Sequence, residues 1–226
     1  MTNNFLQSLF SQCSIVLNGV TITQATKLKN YRSYFETLLT YGSDAAAMHL
    51  TNAFWYLDVG DVLPCDPTAA DAENKVFITR WNRIKQSKEV QLHGRIHSDI
   101  CNVPLYLIPG VRLQIKLSKA KPSFYPMNID AGKKTVFKFL DAQLLIIRVR
   151  PSPSLLLAHN IARGKGALAR YNLTSVEQKS FTFSSGAQSL SRDNSVLGTI
   201  PKRLLYTMVK YTEFLGSATS FRVLTQ

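Results

Sequence analysis

Apolar and polar residues alternate from Leu9, break at Asn18-Gly19, and alternate again to Thr23. Two strands around Asn-Gly predict a β-hairpin with a type I′ turn, because both central residues must take positive φ. Ile15 and Leu17 share one face of the first strand, and Val20 and Ile22 are their counterparts on the second. In "NYRSYFETLLTYG" the period lengthens: Tyr31, Tyr34, Phe35, Leu38 and Tyr41 recur at helical spacing, with Asn30 to cap the start and Gly42 to end it. Ala45–Ala47 continue in helical character, and an aromatic cluster follows at Phe54, Trp55 and Tyr56. "GDVLPCDPTAADAEN" then reads as an acidic loop with two prolines.

From Lys75 the period falls back to two. "KVFITRW" places Val76, Ile78 and Arg80 on one face, and "KEVQLHGRIHSDI" places Val90, Leu92, Gly94 and Ile96 on one face. "VPLYLIPGVRLQIKLSKAK" reads as two strands turning at Pro109-Gly110, with Val111, Leu113, Ile115 and Leu117 inward. "TVFKFLDAQLLIIRVRP" is a further long strand, or two with a bend. Pro151 stops it. "SPSLLLAHNIARG" is a helix with Ser152 as N-cap, Pro153 in the first turn and Gly164 after its end. "ARYNLTSVEQKSFTFSSG" and "SVLGTIPKRLLYTMVKY" return to strand character. Regularly spaced strands with two helical excursions predict an all-β antiparallel sandwich and not a βαβ layout. No internal repeat or low-complexity tract stands out.

Composition sharpens this picture in two places. The chain has 226 residues and a net charge of +13, and the charge is uneven. Residues 1–74 hold 3 Lys/Arg against 7 Asp/Glu (net −4), residues 75–150 hold 15 against 4 (+11), and residues 151–226 hold 9 against 3 (+6). A solvated sheet face explains such a middle segment, and attraction to phosphate backbones is its alternative. With 45% hydrophobic residues the chain is globular. Cys13, Cys65 and Cys101 are odd in number and far apart, with no CxxC, so neither a disulfide framework nor a zinc site is expected. "MTNNFLQSLFSQ" lacks the basic start of a signal peptide, and "AQLLII" is too short to span a membrane. The expected location is a reducing compartment inside the cell, cytoplasm or nucleus, with no membrane partner.

Candidate chemistry is sparse. His93 and His97 in "HGRIH" would lie about 13 Å apart on one strand face, too far to share an ion, and read as exposed strand histidines. "GKGALAR", Gly164–Arg170, has the order of a helix end and turn, not of a phosphate-binding loop. Asp58, Asp61, Asp66 and Asp71 lack calcium-loop spacing, and no GxSxG elbow frames a Ser-His-Asp set. Basic stretches 111–119 and 133–138 with Phe137 and Phe139 leave non-specific single-stranded nucleic-acid binding open. A carbohydrate-binding or hydrolytic sandwich would need a close carboxylate pair, and residues 75–150 offer only Glu89, Asp99, Asp130 and Asp141. No catalytic, cofactor-binding or metal-ligating residue and no cofactor is expected, and the protein is read as not an enzyme.

An ordered set of stretches carries a resemblance: "SLFSQCSIVLNGVTI", "YRSYFETLLTYG", "LTNAFWYLD", "GRIHSDI", "VRLQIKLSKAK", "LDAQLLIIRVRPSPSLLLAHNIARGKGALARYNL", "VEQKSFTF" and "LGTIPKRLLYTMV". Together they cover most of residues 8–210 and resemble the double jelly-roll major capsid proteins of Maverick/Polinton (adintovirus-like) elements. The resemblance implies a structural virion protein of two eight-stranded jelly rolls, forming homotrimers and meeting other capsid proteins. Residues 1–150 would form the first roll with a helical excursion at about 30–57. Residues 151–170 would be a helical connection, and 171–226 an incomplete start of the second roll. Family members usually carry more chain at both ends, so the chain resembles a truncated copy, such as a transposable-element remnant in a host genome. Phe54-Trp55-Tyr56 would serve as interface anchors.

Overall fold

Asn18 and Gly19 take φ of 48° and 87°, so the type I′ turn forms where the sequence places it. The computed structural model describes residues 2–23, 26–56, 75–122, 124, 136–193, 195–215 and 223–224. The hairpin strands are β1 (Phe10–Leu17) and β2 (Val20–Thr21), extended by bonds from Ile22 N to Ile15 O at 3.0 Å and from Ile15 N to Thr23 Oγ1 at 2.9 Å. The larger partner of β1 comes from far along the chain. β3 (Leu113–Lys119) runs antiparallel beside it, in register from Leu17↔Leu113 to Gln12↔Ser118, with an irregularity before Phe10↔Lys119. The sheet order is β2-β1-β3.

The rest is not the expected sandwich. Of the described residues 32% are helical and 11% strand. Among the described residues the three-stranded sheet is accompanied only by a two-stranded pair, β4 (Met208–Val209) with β5 (Val223–Leu224). The helices are α1 (Phe5–Ser8), α2 (Lys29–Thr40), α3 (Ser43–Ala47), α4 (Lys75–Ile84), α5 (Pro153–Gly164) and α6 (Tyr211–Phe214), with short 3₁₀ turns at His49–Ala53, Lys85–Ser87 and Ile100–Asn102. The jelly-roll expectation is therefore corrected to a mixed α and β fold around a small sheet.

The strands expected over 136–149, 171–183 and 195–207 join no ladder among the described residues, and the earlier lost strands have physical reasons that can be named. Residues 76–80 alternate, but Phe77, Arg80, Trp81 and Ile84 also repeat at three- and four-residue spacing. The helical period wins in α4, burying Phe77 and Arg80. Residues 88–98 are extended but join no ladder. Their backbone is held instead by His93 N to Asn52 O (3.2 Å) and by Gln7 Nε2 to Arg95 O (2.8 Å). Gly94 lies against Leu6 so closely that a Cβ there would stand 2.7 Å from Leu6 Cδ2. The turn at Pro109-Gly110 forms, with Gly110 at φ 91°. The segment before it is fastened by Tyr171, whose hydroxyl donates to Tyr106 O and accepts from Ile108 N, both at 3.1 Å.

α5 matches its sequence signals. Ser152 caps the start with Leu155 N donating to its Oγ, and Pro153 opens the first turn. Its end is a Schellman pattern, Gly166 N to Arg163 O and Ala167 N to Ala162 O, with Gly166 at φ 86°. The left-handed residue is thus Gly166, two positions beyond the expected Gly164.

The core gathers at the N-terminal end of the sheet. Phe5, Leu9, Tyr31, Phe54, Ala120 and Phe124 are buried together, with Phe137, Val209 and Phe214 packed against them. Asn3 fastens this end. Its amide donates to Tyr56 O while Tyr56 N donates to Asn3 Oδ1 at 2.9 Å, so one side chain satisfies both backbone groups of Tyr56. Phe54 and Trp55 are 1% and 2% exposed, which corrects the expectation of interface anchors: they are core. Phe54 adopts φ 59°, costly for a bulky residue and held by its burial and by Asn4 N bonding its carbonyl.

Candidate interaction surface

The apolar stretch that leaves this core stays uncovered. Phe137 reaches back to Phe5 at 4.9 Å between ring centres, and Phe139 stacks on Phe10 at 5.9 Å. Beyond these two contacts Leu140, Leu144, Leu145, Ile146, Ile147 and Val149 are all exposed, Leu145 to 74% and Ile147 to 83%. Neighbours in an extended chain point to opposite sides. Exposure at Leu144 and Ile146 as well as at Leu145 and Ile147 means that neither side of the arm is packed. The pattern recurs downstream at Leu197, Ile200, Leu204, Leu205 and Tyr206. Monomeric soluble proteins rarely present so much contiguous apolar surface.

β3 is an edge strand of a different kind. Lys116 and Lys119 are exposed along it, with Arg112 exposed just before its start, and such charges blunt a sheet edge against indiscriminate pairing. The inward row expected there is not buried, since Leu113 and Leu117 are exposed and Ile115 is half-buried. Lys119 Nζ sits 5.5 Å from the Phe139 ring, tying the start of the arm to this edge.

The densest polar chemistry lies on α2. Arg32 Nε bonds Glu36 Oε1 at 2.7 Å, Arg32 Nη2 bonds Asp99 Oδ1, and His97 Nδ1 meets Glu36 Oε2 at 2.7 Å. Burial pushes the Glu36 carboxyl up, but the bonds from His97 and Arg32 outweigh it and hold it below its ordinary value. For Arg32, burial lowers the pKa and the bonds to Asp99 and Glu36 more than restore it. Ser33 and Thr37 are buried on the same helix, their hydroxyls donating to Asn30 O and Ser33 O. Lys29 completes this stripe at i, i+4, i+8. Its Nζ donates to Gln7 Oε1 at 2.6 Å, and burial lowers its pKa to about 8.

The residues weighed from sequence fall as follows. His97 is buried on Glu36 and not an exposed strand histidine, whereas His93 is exposed. Asn30 lies inside α2, its side chain accepting from Tyr31 N, while Leu28 stands at the cap. Asp58, Asp61, Cys65, Asp66 and Asp71, and residues 133–135 of the basic stretch 133–138, lie outside the described residues. Among the described residues no three His, Cys, Asp or Glu side chains gather as metal ligands, and no helix is long and apolar enough to cross a membrane. Sequence reasoning passed over Lys29, Arg32 and Glu36, and weighed Asp99 only for a carboxylate pair. The signal was there in the Arg32–Glu36 spacing of four and in hydroxyl residues at 33 and 37.

No protein-family model matches the chain, no curated protein matches it, and no solved structure matches it.

Proposed function

We propose that the protein is a structural subunit of a capsid-type shell, working by association with copies of itself and not by turning over a substrate. The observation that carries this reading is the arm of exposed apolar residues from Leu140 to Val149, anchored at one end by Phe137 and Phe139. Covering a Leu or Ile side chain contributes about 1.5–3 kcal/mol, so a few such residues suffice to drive association. An extended arm anchored at its base is suited to strand addition on a neighbour's edge. The resemblance to Maverick/Polinton capsid proteins supports the same reading and suggests a homotrimer. The sandwich fold is no part of it: the proposal needs a surface left unfinished in the single chain. Light scattering across a concentration series tests it. Trimers or larger assemblies at tens of micromolar are expected, and a monomer at every concentration would overturn it.

Exposed Arg112, Lys116, Lys138, Arg148 and Arg150 favour a second reading, non-specific binding to nucleic acid. An oligonucleotide titrated across a salt series separates the two, because phosphate contacts weaken steeply with salt. Binding at low salt by a chain that stays monomeric would favour this second reading.

A further inference from the structure

Between β1, the start of α2 and the turn at 97–99 lies a cavity of about 30 Å³ whose walls include Cys13, Thr23, Lys29, Arg32, Ser98 and Asp99. Two of its polar groups lack the partners their burial calls for. Lys29 is 6% exposed; its Nζ bonds the neutral Gln7 amide and lies 5.5 Å from the centre of the Phe10 ring, and among the described residues no carboxylate pairs with it. Ser98 is 2% exposed, and its Oγ has no hydrogen-bond partner among the described residues. An ammonium without a counter-ion and an idle hydroxyl are both costly away from water.

The neighbouring groups do not supply the missing charge. Asp99 is engaged by Arg32, and Glu36 is shared between Arg32 and His97. Burial pushes the Cys13 thiol up, so it stays neutral near pH 7. Lys29 also stands in the first turn of α2, where the unpaired N–H groups of a twelve-residue helix give a partial positive charge. Water in the cavity would satisfy Ser98 but leave the ammonium without a counter-ion.

We propose that this cavity binds a small oxyanion of the phosphate or sulfate type. Lys29 supplies the charge, Ser98 donates its hydroxyl, and Thr23, whose Oγ1 already accepts from Ile15 N, has its proton to give. The space, roughly that of two waters, suits a small ion. A free ion and the terminal phosphate of a nucleotide chain share this chemistry.

The test is thermal unfolding and ³¹P line width of the full chain against inorganic phosphate, with sodium chloride holding ionic strength constant. Phosphate is expected to raise the midpoint in a saturable way that chloride does not. Lys29→Met should abolish the effect, and Ser98→Ala, which removes one oxygen, should weaken affinity about tenfold. A 5′-phosphorylated dinucleotide that displaces phosphate would identify a chain-borne phosphate as the ligand, and failure to displace it a free ion. No phosphate-specific shift in the unsubstituted chain, or a shift that both substitutions leave unchanged, would overturn the proposal.

Discussion

Glu36 and His97, 61 residues apart in sequence, meet at 2.7 Å between Oε2 and Nδ1 and so fasten α2 to the turn that leads to Asp99. The same carboxylate accepts from Arg32, which also bonds Asp99. Glu36 takes part in two of the three links, to Arg32 and His97, and Arg32 in two, to Glu36 and Asp99.

Glu36→Gln should therefore cost about 2 kcal/mol at neutral pH, since it leaves His97 without its charged acceptor and Arg32 with Asp99 alone. The pH profile gives the sign. The Glu36 carboxyl is held below its ordinary value of 4.5 in the folded state, so its stabilisation is complete above that value and is lost as pH falls through the lower folded one. Urea unfolding at a series of pH values should show an acid-side decline that is shallower in Glu36→Gln.

Lys29 works in the opposite direction. Its folded pKa of about 8 lies below the ordinary 10.5, so between these values the unfolded chain binds more protons. Stability from this group rises with pH across that window, by roughly 3 kcal/mol in all. The difference between the unfolding free energies of the unsubstituted chain and Lys29→Met, measured in phosphate-free buffer from pH 7 to 10.5, isolates it. A flat difference would mean that the ammonium is not buried.

Gly94 tests the packing of the ladderless 88–98 segment over α1. A methyl group there would meet Leu6 Cδ2 at 2.7 Å, with Ala53 Cβ and Gln7 Nε2 at 3.5 Å. Leu6 can swing aside at its tip, so Gly94→Ala should cost about 1 kcal/mol, and Gly94→Val, which also crowds Gln7, about 2–3 kcal/mol. Chemical denaturation reads both, and Gly94→Val should in addition loosen the Gln7–Arg95 bond, visible as faster amide exchange near residue 95.

The arm offers the sharpest separation of folding from association. Leu145→Asp and Ile147→Asp change residues that are 74% and 83% exposed, so the unfolding midpoint of the dilute single chain should move little. Assembly in light scattering should weaken at least tenfold for the pair. Equal losses in both measurements would mean that the arm packs within its own chain.

Local chemistry was readable and partnership was not. Asn18-Gly19, Ser152-Pro153 and the aromatic spacing of α2 each act within a few residues, and all three appear where their signals stand. Residues 76–80 and 88–98 show the limit. Alternation over five residues suits a strand or one face of α4, and only the burial of Phe77 and Arg80 decides between them. At 88–98 the backbone found Asn52 and Gln7 in place of a neighbouring strand, which no periodicity encodes. The polar cluster was hidden for a related reason: Arg32 with Glu36 looks like an ordinary surface pair until His97 and Asp99 arrive from about sixty residues away.

The pairing of β1 with β3 also sets a schedule for synthesis. Leu17 must wait for Leu113, and Phe10 for Lys119, about 100 residues later. At 5–20 residues per second the central strand emerges from the ribosome about 5–20 s before its main partner, with only the two residues of β2 beside it. For that interval its open side is available to any nascent neighbour. Polysome crowding or a delayed chaperone would convert that wait into co-translational tangling, and slowing translation between residues 20 and 110 should lower the soluble yield.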